Sequence, residues 1–223
     1  RTLDAARTVL RAQGFRVETP ARQTCCGALH LHTGEARTAG KLERTNIEAF
    51  KGARPIISCA SGCSARLIEY GGQACDAQAQ AFAARVKDIV HFVFLQGRGS
   101  LSLAPLGKRV AVHHPCTHLN VLAQAEDIPA VLSWIPEIEL FRVNPEGGCC
   151  GAAGSFMLTQ PELADQLRER VIERTVQLDA DLLVTSNIGC ALHIQAGLRE
   201  RGLNTEVLHP VELLARQLGP VNQ

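Results

Sequence analysis

"QTCCGALHLHTGE" (residues 23–35) and "EGGCCGAAGSF" (residues 146–156) each set two adjacent cysteines before a glycine. Thiolates are soft ligands that lose their proton on binding zinc or iron–sulfur iron, and tetrahedral four-sulfur coordination suits both metals. In the second half of the chain Cys116, Cys149, Cys150 and Cys190 offer four such donors from three separate loops. Adjacent cysteines point in different directions, so they crowd a single zinc ion but can reach two irons of a cluster. Both CCG runs continue with small residues, and Gly62 and Gly189 stand directly before Cys63 and Cys190, which lets backbone pack close to sulfide. A cluster fits these loops better than a zinc finger does, with zinc as the alternative.

The two halves superpose as sequences. Cys25-Cys26-Gly27 corresponds to Cys149-Cys150-Gly151 at an offset of 124, and Gly62-Cys63 to Gly189-Cys190 at an offset of 127. Between these landmarks each half runs through a helical pattern and a short apolar strand: "KLERTNIEAFKG" then "ARPIISC", and "PELADQLRERVIERTVQL" then "ADLLVTS". Helical patterns resume in "CSARLIEYG" and "CALHIQAGLRERG". Agreement of two cysteine positions together with their surroundings marks an internal duplication. The second half opens with a strand, "KRVAVHHPC", ending at Cys116, whereas the first opens with the amphipathic helix "RTLDAARTVLRAQG". The offset places the counterpart of Cys116 about eight residues before Arg1, so the expectation is a first repeat lacking its amino-terminal strand and leading cysteine.

These elements predict an α/β fold of two duplicated Rossmann-like repeats, each a small, mostly parallel sheet flanked by helices and related by pseudo-twofold symmetry. The first repeat is expected over residues 1–95, a Gly-, Ser- and Pro-rich linker over 96–107, and the second, complete repeat over 108–223. Cysteines after strand ends then face the crevice where open parallel sheets bind ligands. Cys25, Cys26 and Cys63 form the first-repeat set. Cys59 either completes it or is a buried apolar thiol, and Cys75 reads as a simple helix cysteine outside the pattern. His30, His32, His113, His114, His118 and His193 lie near the cysteines, better placed to hydrogen-bond around a site than to ligate, while His91 and His209 read as structural.

Composition excludes other chemistries. The 223 residues carry 23 basic and 22 acidic side chains, a net charge of +1, so no nucleic-acid partner is expected. Nine cysteines, an odd count, argue against a disulfide framework, and no apolar run reaches the roughly 18 residues that span a bilayer. No signal peptide, Gly-x-Gly-x-x-Gly fingerprint or Walker loop is found, and duplicated cysteine pairs match poorly the single activated thiol of a Cys–His hydrolase.

"PARQTCCGALHLHTGE", "TNIEAF", "GCSARLIEYG", "HHPCTHLN", "EGGCCGAAGSF" and "SNIGC" resemble the CCG repeats of the glycolate oxidase (glycolate dehydrogenase) iron–sulfur subunit family, over nearly the whole chain. Related repeats occur in lactate-utilisation and anaerobic glycerol-3-phosphate dehydrogenase subunits and in the B subunit of heterodisulfide reductase. The resemblance implies an electron-transfer subunit that relays electrons from FAD-containing glycolate dehydrogenase subunits toward quinone, in the cytoplasm or peripherally at the inner face of the cell membrane. It implies a ferredoxin-type domain elsewhere in the same protein. It also implies a [4Fe-4S] cluster on Cys116, Cys149, Cys150 and Cys190, and a less complete site on Cys25, Cys26, Cys63 and Cys59. The additional late cysteine of the heterodisulfide reductase pattern is missing, with Ser186 and Asn187 in its place, which tells against a noncubane cluster. A lactate-oxidising or heterodisulfide-reductase-like redox subunit, and a noncatalytic docking scaffold or zinc protein, are the alternatives.

Overall fold

The structure, a computed structural model, describes residues 1–72, 76–99 and 101–219. Cys75 lies outside the described residues. The first repeat runs α1 (Thr2–Ala12), α2 (Ala28–His32), α3 (Ala36–Ala49), β1 (Ile56–Ser58), α4 (Ser61–Glu69), α5 (Ala77–Ala83), β2 (Val86–Asp88) and α6 (Ile89–Gln96). The second runs β3 (Lys108–Val112), a π-helical turn (Thr117–Val121), α7 (Asp127–Leu132), β4 (Ile138–Arg142), α8 (Phe156–Thr159) and α9 (Pro161–Gln177). It finishes with β5 (Leu182–Val184), α10 (Ile188–Glu200), β6 (Glu206–Leu208) and α11 (Pro210–Gln217).

Local chemistry sets these boundaries. Asp76 caps α5 by accepting the Gln78 N–H at 2.8 Å, and Asp88 caps α6 through the Val90 N–H at 2.9 Å. Pro161 and Pro210 stand at first-turn positions of α9 and α11, where a missing N–H costs nothing. The central strands β3 and β5 carry apolar runs without alternation, as parallel strands covered on both faces should: Val110, Ala111, Val112, Leu183 and Val184 are all at most 1 % exposed.

All strand pairings are parallel. The second repeat's sheet has the order β4-β3-β5-β6, with Val110 facing Leu140 on one side and Leu182 on the other. In the first repeat β1 pairs, among the described residues, with β2 alone, Ile56 opposite Val86. Duplication is therefore expressed element by element: α1 answers α7, α3 answers α9, β1 answers β5, and α6 answers α11.

The largest core cluster draws on both halves. Val9 and Leu10 of α1 and Val90 and Val93 of α6 pack with Ile128, Leu132, Leu208 and Leu214. Leu101 and Leu103, in the expected linker, bury themselves in this core too. Truncating a fully buried leucine such as Leu132 or Leu208 to alanine removes contacts worth about 2–5 kcal/mol. The helix pairing is reciprocal, for α1 lies on α11 while its counterpart α7 lies on α6. Each repeat thus covers its early helix with the other's final helix, as the expected twofold relation requires. The polar edges follow the same exchange: Thr2 donates to Glu212 at 2.7 Å, and His91 hydrogen-bonds Asp127 at 2.8 Å. Among the described residues no helix is long and apolar enough to cross a membrane.

Candidate metal centre

Glycine fixes the shape of each CCG loop. Gly27 and Gly151 have φ values of +80° and +86°, which side chains rarely adopt. Each also lies against the following long helix: a Cβ on Gly27 would stand 3.3 Å from the Ala39 Cα, and one on Gly151 would enter the Ala164 carbonyl. With the loop turned this way, the Gly27 N–H points at the Cys25 Sγ at 3.5 Å and the Gly151 N–H at the Cys149 Sγ at 3.3 Å. Gly62 and Gly189 do not share this role, since neither has a positive φ and both sit in the first turns of helices α4 and α10.

In the second repeat four thiols form a chain of contacts, Cys116 to Cys149, Cys149 to Cys150 and Cys150 to Cys190. Cys116 follows β3, the pair follows β4, and Cys190 lies in the first turn of α10. Cys150 and Cys190 are buried. Hydrogen bonds received from Cys116 and then Cys150 hold Cys149 far below the ordinary thiol range. The same contacts push Cys116 and Cys150 up, because each donates to the shared thiolate. The site is thus a set of soft donors around one favoured negative charge.

His113 joins it. Its ring, Cys150 and Cys190 offer donor atoms all within 4.8 Å of one another, a group able to hold a metal ion. Nδ1 is engaged with Thr185 Oγ1 at 3.1 Å, whereas Nε2 is buried with no hydrogen-bond partner. Burial lowers the His113 pKa to about 4, so the ring is neutral and retains a lone pair.

The first repeat assembles fewer donors. Cys26 and Cys63 touch at 3.3 Å, and Cys25 hydrogen-bonds Cys26. The bond from Cys63 brings Cys26 down to about 6, the reverse of burial alone. Cys59, at the carboxyl end of β1, packs against the main core, and burial followed by the charge of Asp88 raises its thiol to about 12.

Three asparagines, none assigned a role by sequence reasoning, tie these loops down. Buried Asn46 of α3 accepts the Thr24 N–H at 2.8 Å and donates to the Cys25 carbonyl at 3.1 Å, while Tyr70 donates to the Cys26 carbonyl at 2.8 Å. Asn144 clamps the chain after β3, accepting the His114 N–H and donating to the His114 carbonyl, both at 3.0 Å. Asn187 caps α10 by accepting the Gly189 N–H at 2.9 Å, and its amide donates to Ser61 Oγ and Thr117 Oγ1 at 3.3 and 3.4 Å. The Ser61 N–H also reaches the Ser186 carbonyl at 3.0 Å. The helix starts bearing Cys63 and Cys190 therefore lie side by side, next to the turn after Cys116. The sequence signal at Asn187 was only a cap residue before a Gly-Cys pair, which carries no information about contact across repeats.

The remaining histidines support elements. His193 contacts the Ala164 carbonyl at 3.1 Å, bracing α10 on α9 beside Gly151, and His209 caps α11. His118 is buried 3.9 Å from Asp88, and His30 pairs with Glu35 at the surface. His32 lies against Gly154, bringing the two CCG loops into contact.

A family model described as a cysteine-rich domain, CCG, matches residues 1–68 and 110–195, more than half of the chain. The chain belongs to the CCG cysteine-rich domain family. This CCG protein is 30 % identical over 207 residues to the B subunit of the fumarate reductase (CoM/CoB) of Methanothermobacter marburgensis, covering 92 % of this chain and 41 % of that one. It is 29 % identical over 228 residues to a probable glycolate oxidase iron-sulfur subunit of Bacillus subtilis, 98 % of this chain and 51 % of that protein. Lactate utilization protein A of Oceanobacillus iheyensis is 26 % identical over 212 residues, 92 % of this chain and 86 % of the relative. The CCG protein spans about half or less of the length of the first two.

Proposed function

We propose that this CCG protein is the iron–sulfur electron-transfer part of a flavin-dependent 2-hydroxy-acid dehydrogenase, with glycolate as the substrate of the complex. The observation that carries this reading is the chain of four interacting thiols from half-buried Cys116 and Cys149 to buried Cys150 and Cys190. Those residues would hold a [4Fe-4S] cluster, which would supply one-electron redox capacity. The donor set fits: four soft sulfurs are in contact, one is already favoured as thiolate, and metal takes the place of the shared protons. Cys25, Cys26 and Cys63, with Cys59 as a further donor, would hold a second, less complete site. The chain's own contribution is to fix donor directions through Asn144, Asn187 and the CCG glycine, and to keep water from Cys150 and Cys190.

Electrons would pass from FAD-containing partner subunits toward quinone, with a ferredoxin-type domain elsewhere in the protein and the assembly peripheral to the membrane's inner face. The repeats would divide at residues 96–107. The likeness to a probable glycolate oxidase iron-sulfur subunit supports this reading. The resemblance of the CCG repeats to those of the heterodisulfide reductase B subunit favours, as a second reading, a subunit that reduces or forms a disulfide.

Iron, acid-labile sulfide and zinc are to be measured on anaerobically purified protein, with EPR in oxidised and reduced states. About four iron and four sulfide per chain, lost in the Cys149→Ser/Cys150→Ser variant, is the expected result. Zinc without sulfide, or no metal after anaerobic reconstitution, sinks it. Thiol–disulfide turnover by the loaded protein alone would select the second reading.

A further inference from the structure

The tightest knot of metal-binding donors in the described residues is not a set of cysteines. A ring nitrogen of His113 and the Sγ atoms of Cys150 and Cys190 all lie within 4.8 Å of one another, and among the described residues no other three His, Cys, Asp or Glu donors stand so close. These three residues are buried, whereas Cys116 and Cys149, the other thiols of the second repeat, are half-buried. The deepest part of the site is therefore built from two sulfurs and one nitrogen.

Backbone and ring are both fixed there. His113 is the first residue after β3, and its N–H donates to the Val184 carbonyl at 2.9 Å, which carries the β3–β5 ladder one bond further. The side chain is fully enclosed, and Nδ1 lies 3.1 Å from Thr185 Oγ1. Thr185 is held in turn, its N–H bonded to the Leu208 carbonyl at 3.0 Å. A ring pinned through Nδ1 presents Nε2, and that atom is buried with no hydrogen-bond partner. An unpaired buried nitrogen is costly, so a native fold that keeps one requires an explanation. His114, His118 and His209 also have unpartnered buried nitrogens, yet none of them stands in a group of three donors.

We propose that His113 is an iron ligand, through Nε2, of the centre held by the four thiols of the second repeat. The assignment rests on the reading of that centre as an iron–sulfur cluster. Histidines that bind metal characteristically donate their other N–H to an oxygen, which sets tautomer and ring direction, and Thr185 Oγ1 takes that part here. The Nε2 lone pair meets the metal on the buried side with Cys150 and Cys190, and Cys116 and Cys149 close the half-buried side. The donor set becomes four sulfurs and one nitrogen. Imidazole is neutral where thiolate is anionic, so its presence makes the iron easier to reduce. The competing arrangement is the opposite tautomer, with the Thr185 hydroxyl donating to Nδ1 and Nε2–H directed at a thiolate. In that case His113 positions the thiols and does not touch the metal.

Pulsed EPR of the reduced, anaerobically prepared protein, labelled with 15N in histidine only, separates the two. The expected result is the strong hyperfine coupling of a directly bonded 15N, lost in His113→Gln and kept in His32→Gln, with a lower midpoint potential in His113→Cys. Iron and sulfide without a bonded nitrogen overturn the ligand and leave the cluster reading intact. A wild-type spectrum and potential in His113→Gln, which keeps an N–H donor but no imidazole, does the same. The labelled wild type decides the question even where a variant fails to fold. If the wild type holds no cluster, that reading falls instead, and cobalt(II) alone tests the ligand. Cobalt affinity at least about tenfold weaker in His113→Gln then supports the imidazole ligand, and equal affinity overturns it.

Discussion

Gly151 shows how one missing side chain sets the geometry of a site. Its positive φ would cost an alanine about 1–2 kcal/mol, and the clash with the Ala164 carbonyl adds an overpacking cost of about 1–3 kcal/mol. At Gly27 the neighbouring Ala39 atom is 3.3 Å from the would-be Cβ, so the backbone cost dominates. Gly151→Ala should therefore lower the urea midpoint clearly more than Gly27→Ala, with an unchanged slope. Equal effects would mean that α9 shifts easily to make room. Sequence alone identified both glycines but attributed them to space for sulfide, whereas the space is taken by a helix backbone. The thiols of the second set were legible because two of their positions repeat. His113 was named, yet its place among Cys150 and Cys190 was not, since it depends on which face of the strand end the ring leaves. Asn46 and Asn144 escaped altogether, for a buried amide tying a loop looks in sequence like any polar residue.

At the scale of elements, helices and strands followed from apolar runs and helical periodicity, and the structure reproduces the parallel α/β repeats. What periodicity does not carry is the partner of each helix. The capping of α11 makes this concrete. His209 accepts the Val211 N–H at 3.2 Å, and its own N–H donates to Glu212 in a reciprocal capping box. Burial depresses the His209 pKa from 6.5 to about 4. The unfolded chain therefore takes up this proton first, so the contribution is present above pH 6.5 and lost as pH falls toward 4. Over that window wild type should lose roughly 3 kcal/mol more stability than His209→Asn, which retains a capping oxygen. The comparison needs the variant, because Asp88, raised to about 6 by burial, works in the opposite direction over part of the same range. Parallel pH profiles for the two proteins would show that His209 ionises freely in the fold.

For the whole molecule, the reciprocal docking of α1 on α11 and α7 on α6 joins two repeats into one cooperative unit. Trp134 packs against the shared core and reports on it, while far-UV circular dichroism reports on every helix. Their urea transitions should coincide, and residues 1–95 alone should give no cooperative transition. A first-repeat transition separate from the Trp134 signal would show that the halves fold independently. The interlock also bears on synthesis. Translation delivers α1 well before α11, so α1 meets its cover only after some 200 further residues have left the ribosome. Until then Val9 and Leu10 remain open to solvent or to a chaperone. Emergence of α11 becomes the event that commits the two repeats to their native packing, and a chain terminated before it is a ready substrate for proteolysis.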